Sequence, residues 1–286
     1  MAGRVSAVVV TRDGMPWIER CLESVRGHET IVVDHGSTDG TLELVERRFP
    51  EATILRRENR GYGAGLNAGM EAATGDFFLL LNSDAWAHEE AVDRLAAFAE
   101  AHPRAALVGP RARNPDGSLQ RTVRGFPTLW RLATEYFFLR KLAPRSRLLN
   151  AFYAGGFAHD HARPADWVMG FAMLVRREAV EQVGGFDEDF FMFSEETDFC
   201  RRCWDAGWQV WFAPDAEFTH VGAASHGGRM FGENVRAHLR FLAKHRGERY
   251  AERARRLLRA ALVLRGALFR GERGRMYREA ARLLAR

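Results

Sequence analysis

Three short stretches carry side chains that could do chemistry. At 79–86, Leu-Leu-Leu-Asn-Ser-Asp-Ala-Trp passes from unbroken leucine into Asn82, Ser83 and Asp84. A continuous apolar run suits a strand covered on both faces, and functional groups in such sheets gather at the carboxyl ends of strands. Asp84 is therefore placed to meet a ligand, and equally placed to cap the helix expected over 87–101. At 194–198, Ser194 can cap a helix whose first turn holds Glu195, Glu196 and Asp198. The positive end of the helix dipole favours ionised carboxylates, and an ionised carboxylate can take a proton from a hydroxyl. Acids that only decorate a helix start are the commoner meaning of such a cluster. His220, after Ala-Glu-Phe-Thr, is by itself more often a core or surface histidine than a ligand.

These groups need elements to bring them together. Over the first hundred residues the pattern alternates: strand 5–10, helix from Pro16 to about Arg26, strand 30–34, helix 41–49, strand 52–57, helix near 63–73, strand 76–82. Pro16 suits a first helical turn, and Gly40 and Gly75 punctuate turns. Such alternation predicts a doubly wound α/β sheet, with Thr11, Asp13, Asp34 and Asp84 converging on one edge. Residues 106–110 continue the sheet, and Asn114-Pro-Asp-Gly117 signals a turn. Residues 143–165, rich in Gly, Ala, Pro, Arg and His, read as a mobile loop. A second unit follows: one strand over 166–177, a turn over 184–191, a helix from Glu195 to Ala206, and a strand over 208–214. After His226-Gly227-Gly228 the pattern is helical and basic. There are no internal repeats.

Composition narrows the class. The chain has 286 residues, 47% of them hydrophobic, enough for a large core. Its first residues hold only a six-residue apolar run, too short for a signal-peptide core or a membrane span, so an intracellular protein is expected. Cys21, Cys200 and Cys203 are too sparse for a zinc site, and the last two read as buried side chains one helical turn apart. The net charge of +5 is uneven: 236–286 contain 15 Arg and 1 Lys against 4 Glu, a net of +12, leaving −7 for the rest. That tail suits an anionic surface such as lipid headgroups or nucleic acid, with ion pairing to the acidic remainder as the plainer account. Gly63-Ala-Gly65-Leu-Asn-Ala68 fits a dinucleotide fingerprint only weakly, because it follows the third strand and is separated from it. No P-loop is present.

Thr11, Val-Val-Asp-His-Gly-Ser-Thr-Asp-Gly-Thr (32–41), Glu-Asn-Arg-Gly-Tyr-Gly-Ala-Gly (58–65), the 79–85 block, 184–202 and Phe-Thr-His-Val-Gly-Ala-Ala-Ser (218–225) occur in order. In this the chain resembles the family 2 glycosyltransferases over roughly residues 5 to 230. The resemblance implies an α/β, GT-A (Rossmann-like) mixed sheet flanked by helices and an inverting sugar-nucleotide enzyme, nearest to rhamnosyltransferases of cell-surface polysaccharide assembly. It implies that Asp84, with His220, holds Mg2+ or Mn2+ against the donor diphosphate. By position Glu196 is the base, with Glu195 and Asp198 as alternatives. Thr11, Asp13 and Asp34 would contact base and ribose; Asn59, Gly61 and Asn67 shape the adjoining loop; Asn82 and Ser83 stand where the family often has acids. The 120–131 segment, Trp167 and Gly170 would border the acceptor, although Trp167 reads equally as core.

The resulting expectation is a nucleotide-sugar-binding half over 1–110, an acceptor-binding and catalytic half over 111–230, and a basic helical extension over 231–286. A UDP- or dTDP-sugar donor, a glycan or lipid-linked acceptor and an anionic membrane docked through the tail are the implied partners. No nucleic acid is expected, an oligomer is left open, and the location is cytoplasmic, at the membrane face. The competing readings are a nucleotide-sugar pyrophosphorylase, disfavoured by the lack of a basic Gly-rich loop after the first strand, and a non-catalytic nucleotide- and membrane- or nucleic-acid-binding protein.

Overall fold

The computed structural model describes residues 3–222 and 230–285; the boundary read at 226–228 and the end of the 218–225 block lie outside them. Among the described residues, ten strands form one mixed sheet. Its first four strands, β1 (Val5–Thr11), β2 (Glu29–Asp34), β3 (Thr53–Arg56) and β4 (Phe77–Asn82), run parallel in the order β3-β2-β1-β4. Helices α1 (Ile18–Glu23), α2 (Thr41–Arg48) and α3 (Tyr62–Ala72) connect them. Every residue of β1 is buried, as its unbroken apolar run requires when both sheet faces are covered. Val5, Ala7 and Val9 enter one core with α1 and α2; Val8 and Val10 enter the other with Leu66 and Met70 of α3. A Cβ on Gly65 would lie 2.8 Å from Val10 and 2.9 Å from the His35 ring. The glycines at 65 and 69 thus seat α3 directly on β1, which accounts for the fingerprint-like spacing without a dinucleotide.

Past β4 the sheet becomes mixed. The short strand β5 (Ala85–Ala87) and helix α4 (Ala91–Ala101) precede β6 (Ala105–Arg113); β11 (Ala172–Arg176) runs antiparallel between β4 and β6, and β12 (Gln209–His220) lies parallel to β6 and antiparallel to β5. The turn at Asn114–Gly117 forms as expected, closed by Gly117 N–H donating to Asn114 O, and leads into β7 (Leu119–Gln120) beside β6. A separate ribbon pairs β8 (Val123–Arg124) with β10 (Trp167–Val168).

Several expectations need correction. The stretch 166–177 is two strands, because the chain breaks at Met169-Gly170-Phe171 and only Ala172 onward joins the main sheet; helix α6 (Arg177–Val183) then follows directly. Asp84 does not cap the following helix: β5 intervenes and α4 starts at Ala91. Residues 143–165 are packed, with Phe152, Phe157 and His159 buried and β9 (Arg163–Pro164) paired to β12. The helix expected at 195 is α7 (Glu195–Asp205), and Cys200 and Cys203 are buried in it. Ser194 makes no capping hydrogen bond; its φ is 66° and its Oγ lies 3.4 Å from His238 Nδ1.

The C-terminal region is α8 (Phe231–Arg246), α9 (Glu248–Leu268) and α10 (Gly271–Leu283). Ala251, Ala254, Leu258, Ala261 and Leu262 give α9 one apolar face. With α5 (Leu129–Tyr136) and Phe190 these helices build a third core. Arg265 is buried there and donates to the carbonyls of Tyr136 and Glu135, both at 2.7 Å.

Candidate active site

The carboxyl edge of β1 and β2 gathers the first group. Thr11 pairs with Asp34 across the strands, and its Oγ1 is buried without a hydrogen-bond partner. Asp34 accepts from Gly36 N–H at 2.9 Å and from the Ser37 hydroxyl at 2.5 Å. Asp13, at φ 54°, accepts from Thr38 N–H at 2.8 Å. Both carboxylates therefore shape the 36–38 loop at the mouth of the sheet. His35 is nearly buried, and burial lowers its pKa below the usual histidine range.

At the tip of β4 the chain delivers Asn82, Ser83 and Asp84. Pairing of His220 with Ala85 sets the end of β12 beside this tip. His220 Nε2 lies 3.5 Å from Asp84 Oδ1, and its ring stacks on Phe171 with centroids 4.8 Å apart. Among the described residues no third His, Cys, Asp or Glu completes a metal cage with them. Mg2+ and Mn2+ favour oxygen-rich shells, and Mg2+ usually keeps waters and substrate phosphates around one or two protein carboxylates. One carboxylate and one imidazole nitrogen this close, with Asp84 still partly exposed, fit that pattern.

The third group starts α7. The Oε2 atoms of Glu195 and Glu196 are both buried without partners. Burial, and then the neighbouring Glu196 charge, push Glu195 well above the usual carboxylate range. Burial raises Glu196 to about 7 against backbone hydrogen bonds that favour its charge. The expectation that the helix dipole keeps both ionised is thus overturned: desolvation outweighs it. Glu195 holds its proton more tightly, which leaves Glu196 as the member that can be free near neutral pH. Gly170 packs against Glu196: a Cβ there would lie 3.5–3.6 Å from its side-chain carbons, and the Gly170 backbone hydrogen-bonds its carboxylate.

Asp198, two residues on, is different. Its side chain is wholly buried and meets Arg202 Nε at 2.8 Å, Lys244 Nζ at 2.8 Å and His245 Nε2 at 2.7 Å. Burial opposes its charge, but these hydrogen bonds prevail and hold it at about 2. It anchors α7 to α8, and a carboxylate held ionised by three donors is poorly suited to take a substrate proton.

The remaining expected residues divide. Asn59 Oδ1 accepts from Gly61 N–H at 3.2 Å. Gly61, at φ 114°, lies against the Phe191 carbonyl, where a Cβ would come within 2.6 Å. Asn67 exchanges two 2.8 Å hydrogen bonds with the Phe186 backbone, clamping α3 to the turn before α7. Trp167 is 6% exposed and donates to Gly125 O at 3.0 Å, which places it in the core.

Three further residues border the site. The Tyr62 hydroxyl donates to Asn82 Oδ1 at 2.6 Å; burial, then the charges of Glu195, Asp84 and Glu196, push its pKa up. Tyr62 thus stands among the carboxylates of both halves. Gln120 Oε1 lies 2.8 Å from His220 Nδ1. Arg124 sits 4.4 Å over the Tyr153 ring, hydrogen-bonds Met169 Sδ at 3.2 Å, and is lowered by burial to about 10. The basic 120–131 segment signals the last two; Tyr62 lies within the 58–65 block, where its type and spacing carry no mark of this position.

The model of glycosyl transferase family 2 matches residues 6–162. The N-acetylglucosaminyl-diphospho-decaprenol L-rhamnosyltransferase of Mycobacterium tuberculosis is 33% identical over 303 aligned positions, covering 96% of this chain and 98% of that protein. Rhamnosyltransferase WbbL of Escherichia coli is 37% identical over 86 residues, 28% of this chain and 32% of WbbL. Among solved structures, the mannosyltransferase PcManGT of Pyrobaculum calidifontis, in complex with GDP-Man and Mn2+, superposes with a TM-score of 0.60 at 19% identity, covering 100% of this chain and 81% of that one. The chain belongs to glycosyl transferase family 2. It is a glycosyltransferase of the hexosyltransferase class with the GT-A fold.

Proposed function

We propose that this enzyme transfers rhamnose, with inversion, from a dTDP- or UDP-sugar to a lipid-linked diphosphate acceptor. The observation that carries the reading is Glu196: half-buried, with its Oε2 buried and partnerless, raised to about 7, and packed beside Gly170. Such a base is matched to neutral pH. The acceptor hydroxyl gives its proton to Glu196 while its oxygen attacks the anomeric carbon from the side opposite the diphosphate. The bond from that carbon to the diphosphate oxygen breaks, its electron pair leaves with the diphosphate, and the configuration inverts. Glu195, kept protonated by burial, limits the negative charge beside the forming bond.

Asp84 and His220 would hold Mg2+ or Mn2+, which when bound neutralises the charge gathering on the leaving diphosphate. Thr11, Asp13 and Asp34 with the 36–38 loop frame the base and ribose, Asn59, Gly61, Asn82 and Ser83 line the diphosphate side, and Asn67 acts by fixing the turn before α7. Residues 1–110 serve the donor and 111–230 the acceptor and catalysis. The relative's acceptor carries a diphosphate, and Arg124, which makes no ion pair among the described residues, offers such a group a cation next to Met169-Gly170.

Residues 231–286 and the 139–149 segment place the enzyme on the cytoplasmic membrane face. Leu142, Leu148, Leu264 and Leu268 are exposed among Lys141, Arg145, Arg147 and Arg270, a composition suited to anionic lipid. No helix among the described residues is long and apolar enough to cross a membrane. The deciding experiment incubates the full chain and Mn2+ with dTDP-rhamnose or UDP-sugars and a polyprenyl-diphosphate-linked N-acetylglucosamine. A rhamnosylated product of inverted configuration supports the reading; transfer only to soluble, diphosphate-free acceptors overturns it.

A further inference from the structure

We infer that Gln120 is a positioning residue that presents the unprotonated Nε2 of His220 to Asp84, at the end of a hydrogen-bond relay that begins at Asp116. This rests on the reading of Asp84 and His220 as metal ligands.

The direction of every bond in the relay follows from its ends. Asp116 lies in the turn after β6, and hydrogen bonds from the side chain and backbone of Ser118 lower its pKa, so it only accepts. The Ser118 hydroxyl donates to Asp116 Oδ1 at 2.6 Å, which spends its one proton. Ser118 Oγ must then accept from Asn114, whose Nδ2 is 2.8 Å away. That orients the Asn114 amide so that its Oδ1 accepts from Gln120 Nε2 at 2.9 Å. The other neighbour of that nitrogen, the His220 carbonyl at 3.5 Å, is also an acceptor, so the Gln120 amide has one orientation that satisfies both. Its Oε1 faces His220 Nδ1 at 2.8 Å. An amide oxygen cannot donate, so Nδ1 carries the hydrogen. In the neutral ring Nε2 is then a bare lone pair, and it is this atom that lies 3.5 Å from Asp84 Oδ1.

The arrangement opposes the pairing a free histidine would choose. Without Gln120, an Nε2–H pointing at the Asp84 carboxylate is the favoured tautomer, and it blocks the nitrogen as a ligand. A metal-ligating histidine commonly donates its other N–H to an oxygen acceptor, and loss of that acceptor costs 10- to 100-fold in affinity. Here the acceptor is an uncharged amide braced by the Asn114–Gly117 turn. The turn of 114–117 and the metal-side histidine, about a hundred residues apart in the chain, thus form one unit.

The test has two readouts on the full chain. Long-range 1H–15N spectra of the metal-free protein report the tautomer of His220, assigned with His220→Ala; titration of Mn2+ in the presence of UDP or dTDP reports binding. The wild type should show the Nδ1–H form. Gln120→Leu should shift it to Nε2–H and weaken Mn2+ 10- to 100-fold, while Gln120→Glu, which keeps an acceptor at that place, should restore both. Asn114→Leu should give a smaller shift in the same direction. An Nε2–H form in the wild type, or unchanged Mn2+ affinity in Gln120→Leu, overturns the relay and leaves the ligand reading standing. Unchanged affinity in His220→Ala overturns the ligand reading, and the relay's purpose with it.

Discussion

At the scale of single residues, the site separates two carboxylates that are neighbours in sequence by what surrounds them. Glu196→Gln should keep donor binding and lose transfer by about 10²- to 10⁴-fold, measured as initial rates of sugar transfer; wild-type turnover in this variant, with collapse in Glu195→Gln, would move the base to Glu195. The wild-type rate should fall with acidity below an apparent pKa near 7. The same burial has a stability signature. A carboxyl raised from 4.5 to about 7 in the folded state contributes stability below pH 4.5 that is lost as pH rises through 7. Glu196→Gln removes that loss, so the variant should melt above the wild type at pH 8 and not at pH 4.5, read by differential scanning calorimetry. Asp84→Ala should abolish metal-dependent donor binding with little change in melting, because Asp84 lies at a strand tip and supports no core; calorimetric titration with and without Mn2+ checks it.

At the scale of elements, α7 carries both Glu196, the proposed proton acceptor, and Asp198, which ties the helix to α8. Asp198 on α7 meets Lys244 and His245 of α8. Asp198→Asn leaves Lys244, His245 and Arg202 without their carboxylate, at a cost of about 3–5 kcal/mol, readable by urea unfolding. Its folded pKa of about 2 contributes stability above pH 3.8 that is lost as pH falls through 2; the variant should lack that acid-dependent loss. The sequence made the parallel strands legible because doubly covered strands need continuous apolar runs, and it brought Thr11, Asp34 and Asp84 to one edge for the same reason. It could not show that Glu195 and Glu196 are desolvated, since that depends on distant segments, Gly63 and Gly170 among them, packing against their side chains. The break at Met169-Gly170-Phe171 was hidden in an apolar run that reads as one strand, and Trp167 went to the core because its indole N–H finds the Gly125 carbonyl.

At the scale of the whole molecule, the basic C-terminal region has two faces. One is buried with α5 in the third core, so removing 231–286 should expose that core; the shortened chain should lose transfer and melt at lower temperature than the full chain. The other face carries the excess arginine. The full chain should sediment with phosphatidylglycerol vesicles at low salt and be released as added salt shortens the electrostatic reach below about 8 Å. Absence of binding to such vesicles at low salt would sink the docking proposal. The tie between Asp198 and α8 also has a consequence for the order of assembly: Lys244 and His245 belong to the C-terminal helices, so Asp198 gains two of its three partners only once α8 has docked on α7.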